Sequence, residues 1–379
     1  MTADTTPTVQ EGRRYYDPSE ILALGATYNI IFGERGNGKT FAVCRLIVDA
    51  YLDEQLPSAY IRRLEEMIKQ GNLETLFEPH REYIEKKTNG KWNYIQYRNH
   101  SFTLQKRDPE TNALIERDKQ PFCRTYAIST TETTKGPDRG RVKYVFFDEF
   151  ITRQFYLTNE VVLFQNVLET IIRKRPGVTI FMVANTVNKF CIYFRHMGLT
   201  RIKQQKQGTI DQYLLGKAQT KIACEYCLDD DASASEVADQ YYCFDNPQAE
   251  MIKNGSWEFD IYRTIPKGLD ANHEPELVFY IEFDQQITRG ALYIYQDSPV
   301  ICFTKKTTPI RDRENAIIYG EEISSASPLH QIELARAPTR AQQVILELMK
   351  QHKTYFATND DGENVANWLK YATKGALKV

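Results

Sequence analysis

A phosphate-binding pattern near the N-terminus is the feature that most constrains the fold of this 379-residue chain. Gly33 to Thr40 match G-x-x-x-x-G-K-[ST], directly after the apolar run Tyr28 to Phe32 and directly before Phe41 to Val48. A strand, a glycine-rich turn and a helix in this order form a loop whose backbone N–H groups surround phosphate oxygens. The pattern therefore predicts a nucleotide triphosphate site at the start of an α/β domain.

The residue types within this loop suit phosphate binding. Lys39 is expected to reach the β- and γ-phosphates, and the hydroxyl of Thr40 is expected to hold Mg²⁺. Arg35 is carried on the turn itself, so it either senses the nucleotide or is a solvated surface arginine. We therefore expect ATP and Mg²⁺ as ligands, with nucleotide contacts from Gly33, Arg35, Gly36, Asn37, Gly38, Lys39 and Thr40.

An acidic pair ends a second apolar strand further along the chain. The run Val142 to Glu149 closes with Asp148 and Glu149 after four apolar or aromatic residues. An aspartate at this place in a nucleotide hydrolase holds Mg²⁺, and a following glutamate can polarise the attacking water. We predict Asp148 as a magnesium ligand and Glu149 as the general base; the alternative is an exposed pair that caps a strand. Asn185 ends the next strand, where it either contacts the γ-phosphate or attacking water or is an ordinary turn residue.

Two arginines end the helix predicted at 159–174, between these strands. Hydrolases of this class place a cation on the γ-phosphate in the transition state, which accelerates the reaction about 10³- to 10⁵-fold. Because this helix end points away from the site of its own chain, Arg173 or Arg175 is expected to serve a neighbouring subunit. Solvated arginines, favoured by the helix dipole, are the alternative. Arg62 and Arg63, at a strand end, are further candidates for sensing nucleotide, or are solvated surface arginines.

Two basic segments are candidates for contact with DNA. The formal net charge of −2 provides no overall basic field, so such contact must come from local patches. The segment Arg81 to Arg107 is basic with interleaved aromatic residues, and Thr133 to Arg141 is a basic loop before the Asp148 strand. Both suit contact with a phosphate backbone, or are merely solvated. The candidate DNA-binding residues are Lys86, Lys87, Lys91, Lys135, Arg139 and Arg141.

Composition predicts a soluble globular protein of a reducing compartment. Apolar residues make up 42% of the chain, and its seven cysteines are scattered through apolar segments. The sequence lacks an apolar run of the roughly 18 residues that a membrane span needs, and residues 1–11 lack signal-peptide features. We expect a cytoplasmic protein without a membrane partner. Cys224 and Cys227 have the spacing of half a zinc site, but two semi-buried thiols are the favoured interpretation.

The order of patterns predicts several regions. A disordered tail (1–12) precedes an α/β domain with a mainly parallel sheet (13–200) and a linker (201–240). A smaller, β-rich α+β domain (241–330) follows, and a tail (331–379) carries two helices. Those helices are predicted to begin with capping boxes, at Thr339 with Gln342 and at Asp360 with Glu363. In the β-rich domain, Glu282 and Asp284 share one strand face, as in two-metal nucleases or as ordinary solvated carboxylates.

These residues together resemble the DNA-packaging ATPase of phi29-type tailed bacteriophages. The resemblance rests on Tyr28 to Thr40, on Arg62-Arg63, on Val145 to Ile151, on Ile172 to Arg175 and on Phe181 to Asn185. It covers the first 200 residues well, and the region Glu276 to Phe303 in pattern only. The insertion before Asp148 and residues 331–379 depart from the family pattern.

The resemblance implies a P-loop ATPase core of the additional-strand, conserved-glutamate class. It also implies a degenerate RNase H-like nuclease domain, now used for docking. The chain would act in the host cytoplasm as a homopentameric ring on the portal vertex of an empty prohead, pumping double-stranded DNA. A structural RNA takes part in some members. Arg173 would be the trans-acting arginine finger, with Arg175 as the alternative. Other hypotheses are a terminase-like protein with an active nuclease, a related helicase or conjugation-type pump, and a nucleotide-gated assembly protein that moves nothing.

Overall fold

The structure is a computed structural model that describes residues 16–33, 36–130, 140–152, 156–157, 159–185, 191–227, 262–267, 269, 274–284, 286–321 and 327–373. The described residues divide chiefly into two compact units. One extends to Cys227 and the other begins at Tyr262. Each unit has its own sheet and its own core. The predicted disordered tail at 1–12 lies outside the described residues.

The N-terminal unit contains ten strands and six α-helices among its described residues. The strands are Tyr28–Gly33 (β1), Ser58–Arg62 (β2), Tyr94–Tyr97 (β3), Ser101–Arg107 (β4), Leu114–Arg117 (β5), Cys123–Ala127 (β6), Tyr144–Asp148 (β7), Thr179–Asn185 (β8), Thr209–Leu215 (β9) and Thr220–Tyr226 (β10). The helices are Ser19–Ala23 (α1), Lys39–Glu54 (α2), Gln70–Leu73 (α3), Arg81–Lys87 (α4), Glu160–Ile172 (α5) and Ile192–His196 (α6).

The ten strands form one sheet with a parallel centre. Its order is β3-β4-β6-β2-β7-β8-β1-β10-β9, with β5 paired to β4. The six strands from β6 to β10 in this order run parallel, and β3, β4, β5 and β9 are antiparallel to their neighbours. Central parallel strands are covered on both faces, which explains the fully buried runs Ile30 to Phe32 and Val145 to Phe147. The mainly parallel α/β core predicted from the sequence is confirmed, and β8 is the additional strand between β1 and β7.

The segment predicted as a polar insertion before Asp148 extends this sheet. The strands β3, β4 and β6 lie within it. Phe77 packs edge-to-face on Phe102 and Phe122, with ring centroids 4.7 and 5.0 Å apart. The insertion therefore shares the core of the N-terminal unit.

The segment predicted as a linker, 201–240, differs from that expectation in its described part. The strand β10 pairs in parallel with β1, and β9 pairs with β10 at the edge of the sheet. An edge strand has exposed positions, so its sequence is polar, and this polarity favoured a linker in the sequence analysis. Residues 228–240 lie outside the described residues.

The C-terminal unit is built around a six-stranded sheet. Among its described residues, the strands are Leu277–Phe283 (β11), Gln286–Tyr295 (β12), Ser298–Lys306 (β13), Ile317–Gly320 (β14), His330–Gln331 (β15) and Thr354–Phe356 (β16), and the helices are Arg340–Lys350 (α7) and Asn359–Ala372 (α8). The order is β15-β14-β11-β12-β13-β16. An antiparallel meander of β11 to β13 is followed by β14 parallel to β11 and β15 parallel to β14. This second sheet with its two helices agrees with the β-rich α+β domain predicted from the sequence. None of the described helices in either unit is long and apolar enough to cross a membrane.

The two predicted C-terminal helices belong to this unit rather than to a separate tail. Ile345 on α7 and Trp368 on α8 are fully buried in one cluster with Phe279 of β11. An amphipathic helix is stabilised mainly by burying its apolar face, and the sheet supplies the partner surface. The capping box of Thr339 with Gln342 is confirmed. The second predicted box was wrong: α8 is capped by Thr358 with Asp361.

Candidate functional site

The phosphate loop joins the carboxyl end of β1 to the start of α2, as the sequence predicts. At Gly33, φ is +154°, and a Cβ atom there would lie 2.9 Å from the Cβ of Cys227. Only glycine fits this approach, because the neighbouring β10 strand runs directly beside the loop. Gly36 and Gly38 also have positive φ values, of 84° and 87°. Glu34 and the predicted nucleotide contact Arg35 lie outside the described residues.

Lys39 is folded into the centre of this loop. Its Nζ donates to the Oδ1 of Asn37 at 2.9 Å and to the backbone O of Gly33 at 3.3 Å. Although charged, Lys39 is only 4% exposed. Because α2 begins at this residue, the positive end of a 16-residue helix points to the same place. The loop thus presents an ammonium group and a helix N-terminus together, an arrangement suited to an anion such as a phosphate.

Thr40 and Asp148 meet across two strands that are not neighbours. The Oγ1 of Thr40 donates to the Oδ1 of Asp148 at 3.4 Å. The strand β8 separates β1 from β7, yet all three end at the same edge of the sheet. Hydroxyl and carboxylate oxygens are ligands that Mg²⁺ prefers. The two side chains predicted to hold Mg²⁺ are therefore together and chemically suited to it.

The carboxylate of Asp148 is buried among groups that oppose and favour its charge. Burial raises the pKa of Asp148, and the Arg62 guanidinium acts in the opposite direction. The Oδ2 of Asp148 accepts hydrogen bonds from Tyr60 at 2.9 Å and from Arg62 Nη1 at 3.3 Å. The other Nη of Arg62 donates to the Oε2 of Glu149 at 2.5 Å. Arg62 therefore bridges the predicted magnesium ligand and the predicted base, and a nucleotide is not needed to explain its position.

Glu149 lies on the turn that follows β7 in an uncommon backbone conformation. Its φ is +56°, and its side chain is 52% exposed. Such a conformation in a residue other than glycine is strained, and surrounding contacts must hold it. The exposed carboxylate lies one residue beyond Asp148, so water and Glu149 can meet beside the predicted magnesium ligand.

Asn185 is also brought to this edge. It pairs in register with Gly33 at the carboxyl end of β8 and is half-buried. The site therefore combines the ends of β1, β7 and β8, and polar side chains from three segments converge there. Asn185 therefore ends its strand beside the first residue of the phosphate loop.

The predicted arginine finger is not brought to this site. Arg173 follows α5, which returns from the carboxyl edge of the sheet to the start of β8. Thirteen residues of α-helix span about 20 Å, so Arg173 and the loop lie at opposite edges. Arg173 is exposed, whereas Arg175 is half-buried and its Nη1 donates to the backbone O of Gly140 at 2.7 Å.

The candidate DNA-binding residues have different surroundings. Lys86 and Arg141 are exposed. Lys87 instead forms ion pairs with two aspartates of α2, at 2.7 and 2.8 Å. The Nζ of Lys91 lies 4.9 Å from the ring centre of Trp92. Lys135 and Arg139 lie outside the described residues.

Two residues beside the loop were not found from the sequence. The hydroxyl of Tyr16 donates to Glu225 Oε2 at 2.6 Å, and its backbone N–H donates to the O of Asn37 at 2.8 Å. Burial raises the pKa of Glu225 to about 7, and the hydrogen bond from Tyr16 acts in the opposite direction. Tyr16 and Glu225 are 209 residues apart, and nothing local in the sequence marks them as neighbours of each other.

The nuclease hypothesis rests on Glu282, and the zinc hypothesis rests on Cys224 and Cys227. Glu282 on β11 receives two hydrogen bonds from Arg313, at 2.5 and 2.8 Å. Cys224 and Cys227 are both buried thiols, one within β10 and the other packed at Gly33. Within the described ranges, there is no group of three or more His, Cys, Asp or Glu side chains that could hold a metal ion.

Comparison with known proteins finds solved structures with a similar fold. No family model and no curated protein matches the chain. The solved Phi-28 DNA packaging motor is 18% identical with a TM-score of 0.51, over 94% of this chain and 98% of that one. The bacteriophage Phi-29 viral genome packaging motor assembly is 16% identical with a TM-score of 0.52, over 91% and 95%. The chain therefore has the fold of phi29-type DNA packaging motors.

Proposed function

We propose that the N-terminal unit hydrolyses ATP at the carboxyl edge of its sheet. The contact of Thr40 with Asp148, one residue before Glu149, is the observation that carries this proposal. This contact joins the phosphate-binding loop to Asp148, the candidate magnesium ligand, and so brings the loop close to Glu149, the candidate base. Lys39 binds the phosphates, and Thr40 and Asp148 hold Mg²⁺, which when bound neutralises charge on the β- and γ-phosphates.

The other site residues, Glu149, Arg62 and Asn185, serve the attack of water on the γ-phosphate. The carboxylate of Glu149 takes a proton from water as the water oxygen attacks the γ-phosphorus. The bond between this phosphorus and the β–γ bridging oxygen breaks, and ADP and phosphate are released. Arg62 holds the Glu149 side chain beside Asp148, and Asn185 orients the water or the γ-phosphate.

We further propose that hydrolysis drives double-stranded DNA into a preformed prohead. The likeness in fold to two phage packaging motors, over more than nine-tenths of the chain, supports this proposal. The chain would act in the host cytoplasm as a homopentameric ring attached to the portal of the prohead, with a structural RNA as a further partner. Exposed basic side chains, among them Lys86, Lys91 and Arg141, would contact the DNA backbone without reading its sequence.

ATP turnover with and without DNA tests this function. We expect hydrolysis to accelerate in the presence of double-stranded DNA and proheads, and DNA to become protected from nuclease inside the proheads. Slow turnover that DNA leaves unchanged would favour a nucleotide-gated assembly protein. Metal-dependent cutting of DNA that Glu282→Ala abolishes would favour a terminase-like protein with an active nuclease.

Arg173 is proposed to complete the site of a neighbouring subunit. We expect Arg173→Ala to lower ATP turnover about 10³-fold, because the γ-phosphate loses a cation in the transition state. Since α5, about 20 Å long, carries Arg173 away from the edge of the sheet at which its own loop lies, an Arg173→Ala subunit keeps an intact loop and base. Mixed with Glu149→Gln subunits, it is expected to form interfaces with both groups present and to regain turnover, measured as phosphate release.

One control and one further variant accompany this mixing experiment. Arg117→Ala removes an exposed arginine of β5 and should leave turnover unchanged. Arg175→Ala tests the alternative finger. An Arg173→Ala protein with full turnover would refute the assignment, and a mixture no more active than its components would refute action between subunits.

A further inference from the structure

The side chain of Arg63 joins three elements around the turn that carries Glu149. Its Nη1 donates to the backbone O of Glu149 at 3.2 Å, and its Nη2 donates to the backbone O of Phe150 at 2.7 Å. Its Nε donates to both carboxylate oxygens of Glu160, at 3.0 and 2.9 Å. Arg63 follows β2, the turn follows β7, and Glu160 begins α5. One guanidinium therefore sets the position of the turn relative to a strand and a helix.

The ion pair that anchors Arg63 is buried and well satisfied. The Arg63 side chain is 5% exposed and that of Glu160 is 0% exposed. The carboxylate of Glu160 also accepts hydrogen bonds from the Tyr193 hydroxyl at 2.8 Å and from the Leu157 N–H at 2.7 Å. Buried charges with partners on every side are held in one geometry. The guanidinium can therefore act as a fixed support for the two backbone oxygens.

The turn itself needs such a support. Glu149 has a φ of +56°, a strained conformation that persists only where surrounding contacts over-determine it. On one side, the N–H of Glu149 donates to Asp148 Oδ1 at 3.1 Å, and the N–H of Phe150 donates to the O of Val183 at 3.3 Å. These bonds hold the N–H groups of the turn, and Arg63 holds the carbonyl groups.

We infer that Arg63 is a positioning residue for ATP hydrolysis, which directs the Glu149 carboxylate by fixing the backbone on which it stands. The inference rests on the proposed function, in which Glu149 is the base. Arg62 and Arg63 divide the task, because Arg62 contacts the Glu149 carboxylate and Arg63 contacts the Glu149 backbone. The place of Arg63 at a strand end suggested a nucleotide sensor, whereas its contacts assign it to the turn.

Arg63→Lys tests this role with the charge retained. A lysine can still face Glu160, but it lacks the planar fork that reaches two carbonyl oxygens. We expect kcat to fall about 10- to 100-fold, as for a misplaced catalytic group, with KM for ATP and nucleotide affinity within about twofold of wild type. Arg63→Met combined with Glu160→Met, which replaces the ion pair by apolar side chains, should give the same loss of kcat in a folded protein. Arg117→Lys is the matched control at an exposed site and should behave as wild type.

A double-mutant comparison with Glu149→Gln separates positioning from a general structural effect. If Arg63 acts through Glu149, Arg63→Lys should lower the residual turnover of Glu149→Gln less than about twofold. Full addition of the two effects, an unchanged kcat in Arg63→Lys, or a raised KM with kcat unchanged would each overturn the inference. Normal turnover in Glu149→Gln would instead refute the proposed base, so the two failures are distinguishable.

Discussion

Glu149→Gln is expected to lower the rate of ATP hydrolysis about 10²- to 10⁴-fold while leaving ATP binding nearly unchanged. The amide has the shape of the carboxylate, and its oxygen can still accept the hydrogen bond from Arg62. It cannot take a proton from the attacking water at neutral pH. Single-turnover phosphate release measures the chemical step, and titration with a fluorescent ATP analogue measures binding.

Glu169→Gln is the matched control for this variant. Glu169 is an exposed glutamate of α5 away from the phosphate loop, so its replacement should leave both measurements unchanged. Turnover of Glu149→Gln within a few-fold of wild type would show that another group activates the water. Loss of nucleotide binding in Glu149→Gln would show that the side chain supports the phosphate loop instead.

Lys39→Ala is expected to weaken ATP binding about 10- to 100-fold and to remove measurable hydrolysis. The ammonium contributes charge-assisted hydrogen bonds to phosphate oxygens, each stronger than a bond between neutral groups. The variant also removes the Nζ donor that contacts Asn37 Oδ1 and the O of Gly33 in the structure. Binding is measured by calorimetry with ATP and with ADP, and the loss should be larger for ATP.

The control for Lys39→Ala is Lys119→Ala, at an exposed lysine on another part of the N-terminal unit. It removes the same charge from the chain without touching the loop. Equal losses for ATP and ADP would indicate that Lys39 supports the folded loop rather than the γ-phosphate. Unchanged ATP binding in Lys39→Ala would refute the phosphate site itself.

Much of the N-terminal fold follows from local sequence. The helix predicted at 159–174 agrees within about two residues with α5, and the strands predicted to end at Arg62-Arg63 and at Asn185 correspond to β2 and β8. Apolar runs bounded by turn residues carry this information. The described part of the region taken as a linker was harder to predict, because the edge strand β9 mixes polar and apolar residues irregularly and has no buried position. Pairing with a strand nearly 200 residues earlier, as β10 does with β1, leaves no local mark.

The candidate site residues also divide into those that local sequence marks and those whose partners only the tertiary structure shows. Gly33 to Thr40 and the Asp148-Glu149 pair were found because spacing and strand context mark them. The different surroundings of Arg62 and Arg63 were not predictable, since adjacent residues face different partners once β2 lies beside β7. Lys87 was likewise a candidate for DNA contact from its sequence, but α4 places it against Asp49 and Asp53 of α2.

The sequence by itself determined that this chain has a phosphate loop after a strand, an acidic pair after another, and two units of different strand pattern. These features depend on residues close together in the chain, where backbone geometry and hydrophobic periodicity act. Only the tertiary structure decided that Thr40 meets Asp148, that Arg62 bridges two carboxylates, and that Arg63 holds the turn of Glu149. The physical reason is the order of the sheet: with β8 between β1 and β7, and β2 beyond β7, side chains distant in sequence converge at one edge.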